Sequence, residues 1–292
     1  MNSITVKAYA KINLGLDVLR KRPDGYHDVK MIMQSLDLHD TITINKTPAE
    51  NISIQTNLSY LPTNQDNLIY KAATLFLRTH GIHEGLNIVL EKNIPVAAGL
   101  AGGSSDAAAT LIGLNKLYQT DMSLEQLQSL GVKLGADIPY CLMLGTALSE
   151  GIGEVLTPLP PMPVCSILLV KPDISVSTKY VYENLKLDEA SLHPYIDIMT
   201  EALANKDIYG LTKHMDNILQ SVTIKEYPII SDIKDKMKEL GALTALMSGS
   251  GPTVFGVYQN RAAAKKAYSY FKKYQHFGKQ VFLTTPYWPK VE

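Results

Sequence analysis

The segment Pro95–Ser105, PVAAGLAGGSS, sets three glycines and two serines between a strand-like run and an alanine-rich run. Glycine lacks the Cβ that keeps an anion away from the backbone, and it turns where other residues clash. The first-turn amides of a following helix have no intrahelical acceptors, and the helix dipole makes that end positive. Ser104 and Ser105 add hydroxyls able to cap the helix. The same pattern also makes an ordinary capped loop. It is not a Walker A sequence, because no Gly-Lys-Ser/Thr follows, and it lacks the Rossmann spacing. It predicts an anion at a helix start and leaves the anion unnamed.

Lys11 lies among Ala10, Ile12 and Leu14 in a strand-like run, as either an outward-facing strand residue or a buried cation with a partner. Asp137, between Ala136 and Ile138-Pro139, is either a cap at a helix edge or a buried carboxylate. A buried carboxylate can accept a hydroxyl proton, and a nearby ammonium steadies charge on the oxygen left behind. Tyr26 and His27 follow the turn at Pro23-Asp24-Gly25, where by position alone they are hairpin decoration. Asn13, by residue type alone, is a partner for local backbone. Gly249-Ser250-Gly251 makes a tight turn between two strands. The remaining histidines show no ligand spacing.

These residues need a scaffold, and the sequence supplies one. Strands are expected at Ile4–Tyr9, Ile12–Leu19, Val29–Leu38, Thr41–Ile44, Ile52–Thr56 and Gly85–Glu91. Asn67 opens an amphipathic helix that stops at Gly81, and a second helix is expected over Ala107–Tyr118, with a third at Leu124–Leu134. Ile138–Leu144 reads as a short apolar segment. Leu156–Pro163 holds four of the fifteen prolines and reads as a junction between residues 1–157 and 164–292. Beyond it, Val164–Val170 is a buried strand. Helices are expected at Thr178–Leu185, Ile196–Ala204, Tyr209–Leu219, Ile229–Leu240 and Ala262–Tyr274. Strands at Ala242–Met247, Thr253–Val257 and Gln280–Leu283 complete the pattern. Strand and helix runs are segregated, which favours an α+β fold.

Composition bounds the function. Lys plus Arg and Asp plus Glu number 28 each, so bulk electrostatic binding to nucleic acid is not expected. Cys141 and Cys165 match no zinc or redox spacing. No run approaches the ~18 apolar residues of a membrane span. The expectation is a soluble cytoplasmic protein, a monomer or homodimer, with no membrane or nucleic-acid partner.

Three separated segments together resemble the GHMP kinase family. PVAAGLAGGSS resembles its phosphate-binding loop, Ala10–Leu14 its N-terminal strand motif, and Met247–Gly256 (MSGSGPTVFG) its C-terminal glycine-rich motif. The resemblance implies two domains, a ribosomal-protein-like α/β domain and a C-terminal α+β domain, with the active site in the cleft between them. It implies ATP as phosphoryl donor, held by Pro95, Val96, Ala97, Ala98, Gly99, Leu100, Ala101, Gly102, Gly103, Ser104 and Ser105. It makes Lys11 and Asp137 the catalytic pair and gives Gly249, Ser250 and Gly251 the part of closing over the transferred phosphate. Within the family, Asp24–His27 and Gly135–Tyr140 resemble the branch that acts on a cytidine diphosphate-linked methylerythritol in the non-mevalonate route to isoprenoid precursors. Asn13, Tyr26, His27, Thr178 and Tyr182 would then touch that substrate. ATP chemistry implies Mg²⁺, with Ser104 and Asp106 as candidate ligands and none assigned. The alternatives are a homoserine- or mevalonate-type kinase, and a non-catalytic nucleotide- or RNA-binding protein on the same scaffold.

Overall fold

The computed structural model describes residues 1–187 and 193–289, in two compact units that each draw on separated stretches of chain. The first comprises Met1–Ala10, Leu38–Val96 and Ala101–Met143; the second comprises Lys11–Asp37, Ala97–Leu100 and Leu144–Glu292. The stretch expected to divide residues 1–157 from 164–292 lies inside the second unit, and its first residues are in a strand.

Two long strands open the chain, β1 (Ser3–Lys21) and β2 (His27–Thr47), each running through a point where the sequence suggests a break. Successive strand side chains point to opposite faces. From Ala10 to Val18 both faces of β1 are buried. Ala10, Ile12, Leu14, Leu16 and Val18 make one apolar face, while Lys11, Asn13, Gly15 and Asp17 make the other. A buried polar stripe thus runs along a strand whose alternate positions are pure core.

In the first unit, Thr41–Thr47 of β2 pairs antiparallel with β4 (Gly85–Glu91), Thr41 opposite Glu91, and β3 (Ile52–Thr56) pairs parallel with β4. Helix α1 (Leu68–His80) starts where Asn67 Oδ1 accepts the Ile69 amide, and it ends at left-handed Gly81. It packs on α2 (Gly102–Tyr118), which also contacts α3 (Leu124–Gly131) and α4 (Ile138–Met143). Ala107, Ala108, Ala109, Leu111 and Leu114 of α2 are buried. A Cβ at Gly113 would come within 2.8 Å of Val6 and 2.9 Å of Ile44, so glycine lets α2 lie close against the two long strands.

In the second unit, Met31–Gln34 of β2 pairs with β5 (Thr146–Glu150), and β5 pairs with β6 (Val155–Pro158). A four-stranded antiparallel sheet has the order β10 (Gln280–Thr284), β7 (Ser166–Lys171), β9 (Val254–Tyr258), β8 (Thr244–Met247). Helices α9 (Ile229–Glu239) and α10 (Arg261–Lys273) pack on it, burying Ile230, Ile233 and Met237 from one and Ala264, Ala267 and Phe271 from the other. The unit also holds α5 (Thr178–Asn184), α6 (Ile196–Ala204), α7 (Ile208–His214) and α8 (Gln220–Glu226).

Three differences from the sequence reading bear on function. Helix α2 starts at Gly102, five residues before the expected Ala107, so the Gly-Gly-Ser-Ser run is its first turn and not a loop ahead of it. Ile138–Met143 is a helix, placing Asp137 immediately before its first residue. The single helix expected over Tyr209–Leu219 breaks after His214. There Asn217 forms an isolated parallel bridge with Leu16 of β1.

Candidate functional site

The loop Pro95–Ala101 is fastened by its carbonyls. The Lys11 amide donates to Leu100 O at 3.1 Å, the Thr253 amide to Ala98 O at 3.4 Å, and Ser248 Oγ to Gly99 O at 2.9 Å. Gly99 has φ 74°, and a Cβ there would lie 2.2 Å from the Ser248 carbonyl oxygen. Ala97 (φ 49°) and Ala101 (φ 54°) are also left-handed, which a Cβ makes costly. Pro95, Ala98 and Leu100 are buried; Val96, Ala97, Gly103 and Ser104 reach the surface.

Ala101 is the N-cap of α2 and provides no side-chain cap. Ser104 and Ser105, expected as caps, lie inside the first turn. Ser105 Oγ turns inward, donating to Tyr9 O at 2.6 Å beside Cys141 Sγ. A 17-residue helix therefore begins with a glycine pair and no capping side chain, which suits an external anion. A Cβ at Gly102 would meet Lys92 Nζ at 2.9 Å and Ile94 at 3.1 Å, so the space it leaves is on the protein side.

Beneath this turn lies a buried ionic cluster that the sequence reading missed. Lys92 Nζ bonds Asp40 Oδ2 at 2.5 Å and Asp106 Oδ2 at 2.6 Å, with all three side chains below 7% exposure. Asp40 Oδ1 also accepts the amides of Asn93 and Ile94. Asp106 Oδ1 has no hydrogen-bond partner among the described residues. Burial pushes the Asp106 carboxyl up to about 8, against the pull of Lys92 and with a push from Asp40. With Lys92 on its other oxygen, Asp106 is a poor cation ligand. Among the described residues no group of three or more His, Cys, Asp or Glu side chains could hold a metal ion.

The second unit carries the polar stripe of β1. Lys11 is buried, and its Nζ donates to Asn13 Oδ1 at 2.8 Å, so of the two readings for Lys11 the buried cation holds. Asn13 is fully buried and its Nδ2 faces Met31 Sδ at 3.1 Å. Further along, Asp17 Oδ1 meets His193 Nδ1 at 2.7 Å. The turn Gly249–Gly251 joins β8 to β9, with left-handed Gly249 (φ 57°) and Gly251 (φ 93°). A Cβ at Gly249 would lie 3.4 Å from Gly99 O and 3.6 Å from Asn13 Oδ1. Asn13, Gly99 and Gly249 therefore converge on one spot. Thr178 Oγ1 meets Ser250 Oγ at 2.8 Å, bringing α5 to the same turn.

Tyr26 is exposed, and its amide donates to Asp24 Oδ1 in the turn. The rings of His27 and Tyr182 lie 5.1 Å apart at 40°. Burial lowers the His27 imidazole below its usual range, and Lys21 adds to the shift, so the ring is held neutral near pH 7. Asp137 in the first unit is half-buried, and its carbonyl accepts the Cys141 amide at 3.1 Å.

The family model for the GHMP kinases N terminal domain matches residues 67–145, and that for the GHMP kinases C terminal matches residues 199–276. The chain is 61% identical over 284 residues to the 4-diphosphocytidyl-2-C-methyl-D-erythritol kinase of Lachnoclostridium phytofermentans, covering 97% of each chain. It superimposes on a solved structure of 4-(cytidine 5'-diphospho)-2C-methyl-D-erythritol kinase with a TM-score of 0.83 and 31% identity, over 98% of this chain and 100% of that one. Homoserine kinase from Cytophaga hutchinsonii shares the fold, with a TM-score of 0.79 at 21% identity over 98% and 95% of the two chains.

Proposed function

The chain belongs to the GHMP kinase family, and on that premise we propose that it transfers a phosphoryl group from ATP to a hydroxyl of 4-diphosphocytidyl-2-C-methyl-D-erythritol. The observation that carries this reading is the 61% identity, spread over 97% of both chains, to a kinase named for that acceptor. The residues suit the chemistry. Phosphoryl transfer asks a protein mainly for positioning and charge stabilisation, and the uncapped start of α2 suits the nucleotide's phosphates. Lys11 supplies a buried ammonium, Asn13 a polar contact for the acceptor, and Gly249–Gly251 a backbone turn for the transferred group. Asp137 accepts or orients the hydroxyl proton. Tyr26 stacks on the cytosine, with neutral His27 bonding its edge and Tyr182 and Thr178 completing the pocket.

Mg²⁺ suits a site of this kind as an ion carried on the nucleotide phosphates, since it keeps water and phosphate ligands and needs few from the protein. It neutralises phosphate charge when bound, and Ser104 in the first turn of α2 is the residue that would reach it. Residues 1–157 and 164–292 form the two functional domains in this reading, which the positions of the two family models support. We place the enzyme in the cytoplasm, supported by two buried cysteines that form no disulfide.

The test is a mass-spectrometric search for a gain of ~80 Da, one phosphoryl group, on the cytidine acceptor, homoserine and mevalonate offered separately with Mg²⁺-ATP. Gain on the cytidine compound alone is expected. Gain on another acceptor with none on this one would overturn the assignment.

A further inference from the structure

The glycine turn Ser248–Gly251 is short and tight, and the carbonyls of Ser248, Gly249 and Ser250 are each bound. Asn217 Nδ2 donates to Met247 O, at the end of β8 where the turn begins, and to Gly249 O within it, each at 2.8 Å. Asn217 is 1% exposed, and its Oδ1 accepts the Leu219 amide at 3.0 Å. Its flanking backbone is tied to β1: the Leu16 amide donates to Asp216 O, and the Ile218 amide to Leu16 O, both at 3.0 Å. One residue thus joins the strand that carries Lys11 and Asn13 to the turn that faces Asn13 and Gly99. Neighbouring side chains complete the grip. Gln220 Oε1 accepts from the Met247 amide and from Lys234 Nζ, and Thr223 Oγ1 donates to Ser250 O.

We propose that Asn217 is a positioning residue for phosphoryl transfer: it sets the glycine turn against the Lys11–Asn13 segment of β1 at the separation the reaction needs. The proposal rests on the phosphoryl-transfer reading above. The argument is one of hydrogen-bond capacity. A primary amide is the one uncharged side chain that offers two donors from a single nitrogen together with an acceptor. An alanine would leave two buried carbonyls unpaired, and an aspartate would face them with oxygen. Either change lets the turn relax away from Asn13. Small misplacements of reacting groups cost rate far more than they cost ground-state binding.

Steady-state kinetics on Asn217→Ala and Thr223→Val test this, alongside calorimetric binding of ATP and urea unfolding to certify the folded fraction. Asn217→Ala is expected to lower kcat by ~10–100-fold, with KM for ATP and for the acceptor within about threefold of wild type. Thr223→Val, nearly isosteric and losing the hydroxyl's contacts to Ser250 O and Leu219 O, should lower kcat several-fold in the same pattern. A folded Asn217→Ala with wild-type kcat overturns the proposal, as does a loss expressed wholly in KM. Should Asn217→Ala fail to fold, Thr223→Val decides alone: a wild-type kcat overturns the proposal and a kcat-only loss supports it. If wild type itself ignores the cytidine acceptor, the substrate reading fails separately. The variants are then compared on whichever acceptor wild type does phosphorylate.

Discussion

At the scale of single residues, the buried cluster of Asp40, Lys92 and Asp106 sets two carboxyls against one ammonium. The Asp106 carboxyl holds a proton up to about pH 8 in the folded chain, whereas an unfolded aspartate loses it near ~3.9. Between those values the native state binds a proton that the unfolded state lacks, so stability falls as pH rises through the window. Asp106→Asn is neutral at every pH. Relative to wild type, its urea midpoint should rise as pH increases from about 4 to 8; parallel curves would mean that Asp106 is ionised throughout. Two further predictions concern the ligands. Asp137→Asn should lower turnover by ~10²–10⁴, the contribution of a positioned acid or base, with ATP affinity by calorimetry little changed. Near wild-type turnover would leave Asp137 a structural role at the start of α4. Tyr26→Ala should weaken acceptor binding by ~1–3 kcal/mol and spare ATP; equal losses for both ligands would make Tyr26 a folding residue.

At the scale of elements, the phosphate loop contains glycines of two kinds. Gly99 is left-handed and pressed against the Ser248 carbonyl, while a Cβ at Gly103 would make only an ordinary 3.5 Å contact with Leu68. Gly99→Ala should cost ~1–3 kcal/mol of stability and most ATP affinity, whereas Gly103→Ala should stay within ~1 kcal/mol of wild type and bind ATP. Urea melts with calorimetry separate the two. The distinction could not be read from the sequence, where Gly99, Gly102 and Gly103 look alike. What could be read was local. Asn67 and Gly81 bound α1 because capping depends on near neighbours, and β3 and β4 stand as expected because each is a short, self-contained alternation. β5 and β6 had no such signal, since Thr146–Glu150 and Val155–Pro158 become strands through the partners they pair with. The start of α2 was misplaced because Gly-Gly-Ser-Ser is a poor helix former that tertiary structure holds in a helix. The same logic divides the site. The motifs proposed for the site at 95–105, 24–27 and 249–251 are each contiguous and stand out in the sequence, whereas Asp40, Lys92 and Asp106 come from three separate segments and Asn217 acts through backbone far along the chain.

At the scale of the molecule, neither compact unit is a contiguous piece of sequence. A fragment of residues 164–292 leaves behind Lys11–Asp37, Ala97–Leu100 and Leu144–Pro163, all of which group with it in the second unit. Expressed alone, it is expected to unfold without a cooperative transition in calorimetry; a sharp, reversible transition would mean that its sheet and helices suffice. The interleaving has a further consequence during synthesis. The run Ile12–Val18 leaves the ribosome early, yet the second unit closes only when β10 at Gln280–Thr284 has been made. At ~5–20 residues per second that is a wait on the order of 10–50 s. Through that interval a strand apolar on one face has no finished core to enter, which makes the nascent amino-terminal region a natural client for a ribosome-associated chaperone. Ribosome-bound chains arrested near residue 150 should therefore crosslink to such a chaperone through Ile12–Val18. Chains arrested with all 292 residues outside the exit tunnel should not.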